Sequence, residues 1–135
     1  MRKIDTVIVH CSATREGMDF TAADIRRWHR DRGFTDIGYH YVVRLDGTVE
    51  RGRDERTAGA HAFGHNSDSI GICYVGGLDA AGKPHDTRTD RQKTALANLL
   101  RALRKRYPGA RIIGHRDVAA KACPCFDAKE EYSTI

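Results

Sequence analysis

Two histidines near opposite ends of the chain each close an apolar run, His10 in V-I-V-H-C-S-A-T and His115 in I-I-G-H-R-D, and Cys123 follows shortly after the second. If these three side chains act as a set, the fold has to carry the first strand to the last one. Two imidazoles and a thiolate fill three positions of a tetrahedral zinc ion and leave the fourth for a water, the arrangement that separates catalytic from structural zinc. Structural sites draw their ligands in close pairs, and His10 has no such neighbour. A single histidine at a strand end is more often a half-buried core residue. Here, however, both histidines pass from strand-like segments into loops, where catalytic groups concentrate. Cys125 competes with Cys123 for the ligand role, because C-P-C puts both thiols within reach. Cys11 lacks this context, and Cys73, inside I-G-I-C-Y-V, reads as a small core hydrophobe.

At 135 residues, with 40% hydrophobic and 30% charged residues, the chain fits one globular domain spanning 1–135, with a core that needs no disulfide staples. No apolar run reaches the length a bilayer requires, so no membrane span is expected. The N-terminus has two basic residues but no apolar h-region, because Asp5 and His10 interrupt it, and no secretion signal is expected. Reduced thiols, buried or metal-ligating, then fit better than a disulfide framework. A net charge of +5 draws the protein toward polyanions, which include nucleic acid, anionic lipid and bacterial wall polymers. Its densest basic stretches, Arg26 to Arg32 and Arg101 to Arg106, fall on predicted helices, where a solvated face explains them.

The pattern alternates strands and helices. Thr6 to Cys11 is a β-branched strand, expected at the centre of a sheet. Thr21 with Asp24 opens a helix carrying Ile25 and Trp28 that stops at Gly33. His40 to Leu45, the Asp46-Gly47 turn and Thr48 to Arg51 predict an antiparallel hairpin. Glu55 to Ser67 reads as a loop, Ser69 to Val75 as a buried strand and Gly76 to Arg88 as a polar loop. Thr89-x-x-Gln92 is a capping box opening a helix to about Arg106, with Leu96, Leu99, Leu100 and Leu103 facing the core. Arg111 to Gly114 is a last strand leading into His115. The economical architecture is α/β: a mixed central β-sheet flanked by helices.

Two further groups have a use near the ligands. Lys121, two residues before Cys123, points the same way in an extended segment, so its ammonium can face whatever the metal holds. A fixed cation there stabilises negative charge developing on a carbonyl oxygen, worth about 2.7–4 kcal/mol by analogy with one oxyanion donor. Its bland reading is a surface lysine. Tyr39, in I-G-Y-H-Y, is expected to share a strand face with Tyr41, opposite His40. Its phenol suits the orientation of a water or a proton transfer, although aromatic clusters at strand starts more often serve packing.

These blocks, with G-A-H-A-F-G-H-N-S-D-S-I-G-I-C-Y-V-G-G and G-H-R-D-V-A-A-K-A-C-P-C-F-D, resemble the type 2 N-acetylmuramoyl-L-alanine amidases over nearly the whole chain, in order. That family includes the zinc amidase of T-odd bacteriophages and is related to peptidoglycan recognition proteins. The resemblance implies zinc as cofactor, with His10, His115 and Cys123 as metal ligands. It implies Tyr39 and Lys121 as catalytic residues, and His61 and Asn66 as substrate-binding residues, for which a polar loop role is the plain alternative. It further implies hydrolysis of the amide joining N-acetylmuramic acid to L-alanine in bacterial peptidoglycan or muropeptides. Relatives that lack the cysteine bind wall without cutting it, so Cys123 favours an enzyme. Cys125 departs from the phage pattern and keeps the thiolate assignment open.

The expected protein is a monomeric phage or prophage endolysin, made in the cytoplasm and acting on the wall after release. Cytoplasmic muropeptide recycling is the alternative. A non-catalytic recognition module is the second class of function. A nucleic-acid-binding protein is the third, disfavoured because no groove-reading motif accompanies the basic charge.

Overall fold

All six residues of β1 (Thr6–Cys11) are buried, as a strand covered on both faces requires. In the computed structural model, which describes residues 2–135, β1 has β5 (Ser69–Tyr74) on one side and β7 (Arg111–Gly114) on the other, both parallel to it. Beyond β5 lies β3 (Tyr41–Val43), also parallel, and then β4 (Val49–Arg51), antiparallel at the edge. The mixed sheet has the order β4-β3-β5-β1-β7, and the expected central place of the first strand is observed.

Side-chain alternation along β1 divides the core. Val7, Val9 and Cys11 pack with Ile70, Ile72, Leu96, Leu100 and Leu103, so helix α2 (Asp90–Arg106) covers that face, with Leu99 partly buried at its edge. Helix α1 (Ala22–Asp31) lies on the opposite face, where Ala22 and Ile25 meet Val42, Cys73 and Val75. Ile8 shares this second face with Ala62 and Ile113.

Both helices begin at the predicted capping boxes. Thr21 Oγ1 accepts the Asp24 N–H at 3.1 Å, and Asp24 Oδ2 accepts the Thr21 N–H at 2.9 Å. Gln92 Oε1 accepts the Thr89 N–H at 2.9 Å while its Nε2 donates to the Val75 carbonyl at 2.9 Å. One fully buried side chain thus caps α2 and fastens it to the sheet.

Three local expectations need correction. The hairpin strands are shorter than predicted, because the Arg44 N–H bonds to the Thr48 carbonyl at 2.9 Å and closes a three-residue loop over Leu45, Asp46 and Gly47. Tyr39 lies before β3 begins, so strand alternation does not govern it: Tyr41 joins the α2 face, whereas Tyr39 packs on the α1 face. The polar segment after β5 contains a two-residue strand, β6 (Gly77–Leu78), paired with β2 (Thr14–Arg15), too short to leave a pattern. A short helix, α3 (Ala128–Glu131), ends the fold and is tied back by the buried Arg88, which donates to Glu131 Oε2 at 2.6 Å and to the Tyr132 hydroxyl at 3.0 Å. Among the described residues no helix is long and apolar enough to cross a membrane.

Candidate active site

The sheet register explains how distant residues meet. Val9 pairs with Gly114 across the parallel β1–β7 ladder, so His10 and His115 leave adjacent strands at the same end. Their ring centroids are 4.5 Å apart. Cys123 returns to the same point because residues 115–123 fold back. The Arg116 N–H donates to the Cys123 carbonyl at 2.7 Å, and the Tyr74 hydroxyl holds the Pro124 carbonyl at 2.7 Å. The Cys11 N–H donates to Cys123 Sγ at 3.2 Å, and His10 Nδ1 lies 3.9 Å from that sulfur. One donor atom from each of His10, His115 and Cys123 lies within 4.8 Å of the other two, close enough for a single ion to bridge them. Cys125 takes no part in this group: its thiol turns to the Gly77 carbonyl at 3.3 Å.

The imidazoles are held in the form a metal needs. Burial, reinforced by His61 and His115, drives the His10 pKa well below its ordinary value, so the ring stays neutral. Burial and the Lys121 ammonium lower His115 in the same sense. His10 Nδ1 faces the thiol while Nε2 lies 2.8 Å from His61 Nδ1. With Nδ1 left as the electron-pair donor, Nε2–H donates to His61, and the proton on His61 Nε2 points to Ser69 Oγ at 3.1 Å. A metal-ligating histidine characteristically has its second nitrogen held in this way. Burial, with His40 and His115 nearby, pushes His61 down to about 3, so this link stays neutral as well. The Gly71 residue of β5 makes room for it, since a Cβ there would meet the His61 ring at 2.6 Å.

Around the cluster opens a cavity of about 750 Å³ lined by His10, Tyr39, His61, Asn66, His115, Lys121 and Cys123, whereas Cys125, the alternative thiolate, does not border it. The Tyr39 ring lies 5.1 Å from His10, and burial raises its phenol well above the usual value, keeping it protonated. Lys121 is exposed at the rim. It reaches the cavity through a turned loop, in which its N–H bonds to the Ala119 carbonyl, rather than through the extended segment expected. Asn66 Oδ1 accepts the N–H groups of His61 and Ala62, both at 2.9 Å, and so shapes the loop that carries His61. The sequence reading missed Ser69 and the His61–His10 contact. It also missed His29, whose Nδ1 accepts the Gly38 N–H at 2.8 Å and whose ring lies 5.3 Å from Tyr39. No local pattern marks these partners; the glycine in I-G-I-C is the one hint, because it leaves space on a buried strand.

A family model described as N-acetylmuramoyl-L-alanine amidase matches residues 1–126. The endolysin of Enterobacteria phage K11 is 50% identical over 126 residues, covering 93% of this chain and 83% of that one. The solved structure of N-acetylmuramoyl-L-alanine amidase LysC from Clostridium intestinale URNW has a TM-score of 0.81 at 30% identity, covering 96% of this chain and 82% of that one. A Drosophila PGRP-LB mutant in complex with tracheal cytotoxin also has a TM-score of 0.81, at 27% identity, covering 99% and 82%. Fold and matches together define an amidase. The chain belongs to the N-acetylmuramoyl-L-alanine amidase family, as the sequence blocks implied.

Proposed function

We propose that this protein is a zinc-dependent endolysin, a single amidase domain over 1–135, which cleaves the amide between N-acetylmuramic acid and L-alanine in peptidoglycan. The observation that carries this reading is the convergence of His10, His115 and Cys123 at the floor of one open cavity. Two neutral imidazoles and a thiol are donors that suit zinc, and the hydrogen bond from His10 to His61 supplies the outer support such ligands use. A bound zinc ion supplies Lewis acidity toward the scissile carbonyl and lowers the pKa of a water. Tyr39, protonated and beside His10, orients the attacking water or assists its proton transfer. The Lys121 ammonium at the rim stabilises the negative charge that develops on the carbonyl oxygen. His61 and Asn66 border the path of the substrate; with Asn66 Oδ1 engaged by backbone, its amide N–H groups are the end free to meet a stem peptide. Peptidoglycan binding is supported by the PGRP-LB relative bound to tracheal cytotoxin, and action on the wall by the phage endolysins.

Mass spectrometry of products from purified sacculi tests the reading. Zinc-loaded protein is expected to release stem peptides with a free L-alanine amino terminus, and both chelation and Cys123→Ala are expected to abolish that release. Continued release by fully chelated protein refutes the zinc mechanism, and cleavage of a different bond refutes the assigned activity.

A further inference from the structure

The four cysteines are all free thiols, and their surroundings sort them. Cys123 belongs to the metal-binding group, and Cys73 is sealed in the core with Ile25 and Val42. The other two face one another: Cys11 Sγ at the end of β1 lies 4.0 Å from Cys125 Sγ in the C-terminal loop. Their niche is built around Gly77 of β6. A Cβ at that position would sit 2.5 Å from Cys11 Sγ, and the carbonyl of the same residue receives the Cys125 thiol. A side chain at 77 would therefore force the Cys11 side chain to shift, and glycine there leaves room for the two thiols. A disulfide needs the sulfurs at about 2.05 Å, so closure has to draw them together from 4.0 Å.

We propose that Cys11 and Cys125 form an oxidation site beside the metal centre, closing to an intramolecular disulfide by exchange with a small-molecule disulfide. Cys125, the more exposed of the two, attacks one sulfur of the reagent; the S–S bond breaks and the first small thiol leaves with a proton. Cys11 then attacks Cys125 Sγ in the mixed disulfide and expels the second small thiol. Two protein thiols are oxidised and one small disulfide is reduced to two thiols, with no other reactant. The new bond fastens the end of β1, next to His10, to the loop two residues beyond Cys123. Reducing cytoplasm keeps the pair open, and an oxidising wall compartment closes it. That choice of compartment rests on the proposed lytic role, whereas the exchange chemistry does not.

The test exposes the zinc-loaded full chain to oxidised glutathione, quenches with acid, alkylates under denaturing conditions, and maps peptides without reduction. The wild-type protein is expected to lose two of its four alkylatable thiols and to give a linked peptide pair containing Cys11 and Cys125. Cys125→Ser is expected to retain wall hydrolysis and form no intramolecular link. Four alkylatable thiols after exposure, or a link that includes Cys123, overturns the proposal. Cross-linking in a protein that does not cleave sacculi would leave this inference standing while refuting the lytic one.

Discussion

Replacing His61 with alanine isolates the contribution of the hydrogen-bond chain behind the proposed metal ligands. The substitution deletes the Nδ1 acceptor 2.8 Å from His10 Nε2 and the Nε2 donor 3.1 Å from Ser69 Oγ. His10 is only 1% exposed, so the substitution removes the one protein partner of a buried N–H. An unsatisfied buried donor costs about 1–3 kcal/mol, and the space left by the ring against Gly71 adds a cavity cost. Without its second partner the His10 imidazole also loses its fixed tautomer and orientation. Loss of such outer support weakens metal binding by about 10–100-fold, equivalent to about 1.4–2.8 kcal/mol. Competition for zinc against a fluorescent chelator measures the affinity, and urea unfolding of the metal-free protein measures the stability. His61→Gln, which restores a carbonyl acceptor, is expected to recover part of the affinity. Wild-type zinc affinity in a folded His61→Ala protein, with only KM for wall fragments raised, refutes this reasoning and leaves His61 a substrate contact alone.

Lys121→Ala is expected to lower kcat by about a hundredfold, the scale of one lost oxyanion donor, with zinc content unchanged on metal analysis. Tyr39→Phe keeps the ring but removes the hydroxyl, so steady-state kinetics on solubilised peptidoglycan should show reduced kcat with zinc affinity near that of the wild type. In the metal-free protein, His10 and His61 have folded pKa values below the unfolded value of about 6.5. The unfolded chain therefore binds more protons under acid conditions. Their stabilising contribution is complete above about pH 6.5 and is lost as the pH falls toward the folded values, about 3 for His61. Urea midpoints should accordingly drop between pH 7 and pH 5, and equal midpoints contradict the assignment of buried neutral imidazoles.

What the sequence disclosed is what short stretches of chain decide for themselves. Thr21 with Asp24 and Thr89 with Gln92 announce helix starts because capping is a contact across three residues, and both boxes form. The β-branched run from Thr6 marks β1 for a similar reason. Strand order is another matter, because it depends on which buried faces find each other after collapse; nothing near Val9 says that its neighbour is Gly114. The same holds within the site. Tyr39 was recognisable by resemblance, but its orientation follows from β3 beginning at Tyr41, which leaves residue 39 outside the strand alternation applied to it. Lys121 reached the cavity for a reason other than the one deduced, since a loop that doubles back at Arg116 replaces the extended path. His61 looked like a loop residue touching ligand, and its contact with His10 emerges only when residues 61 and 10 are brought together.

The slot between β5 and β7 has a bearing on biosynthesis. As the polypeptide emerges from the ribosome, β1 is made first and its β7 neighbour nearly last, so the sheet interior cannot be completed until most of the chain has been translated. A truncated product that ends before Arg111 carries His10 but lacks the second imidazole and the thiolate. Under the proposed metal-dependent mechanism, a molecule terminated before Arg111 cannot complete the three-residue group and is expected to lack hydrolytic activity.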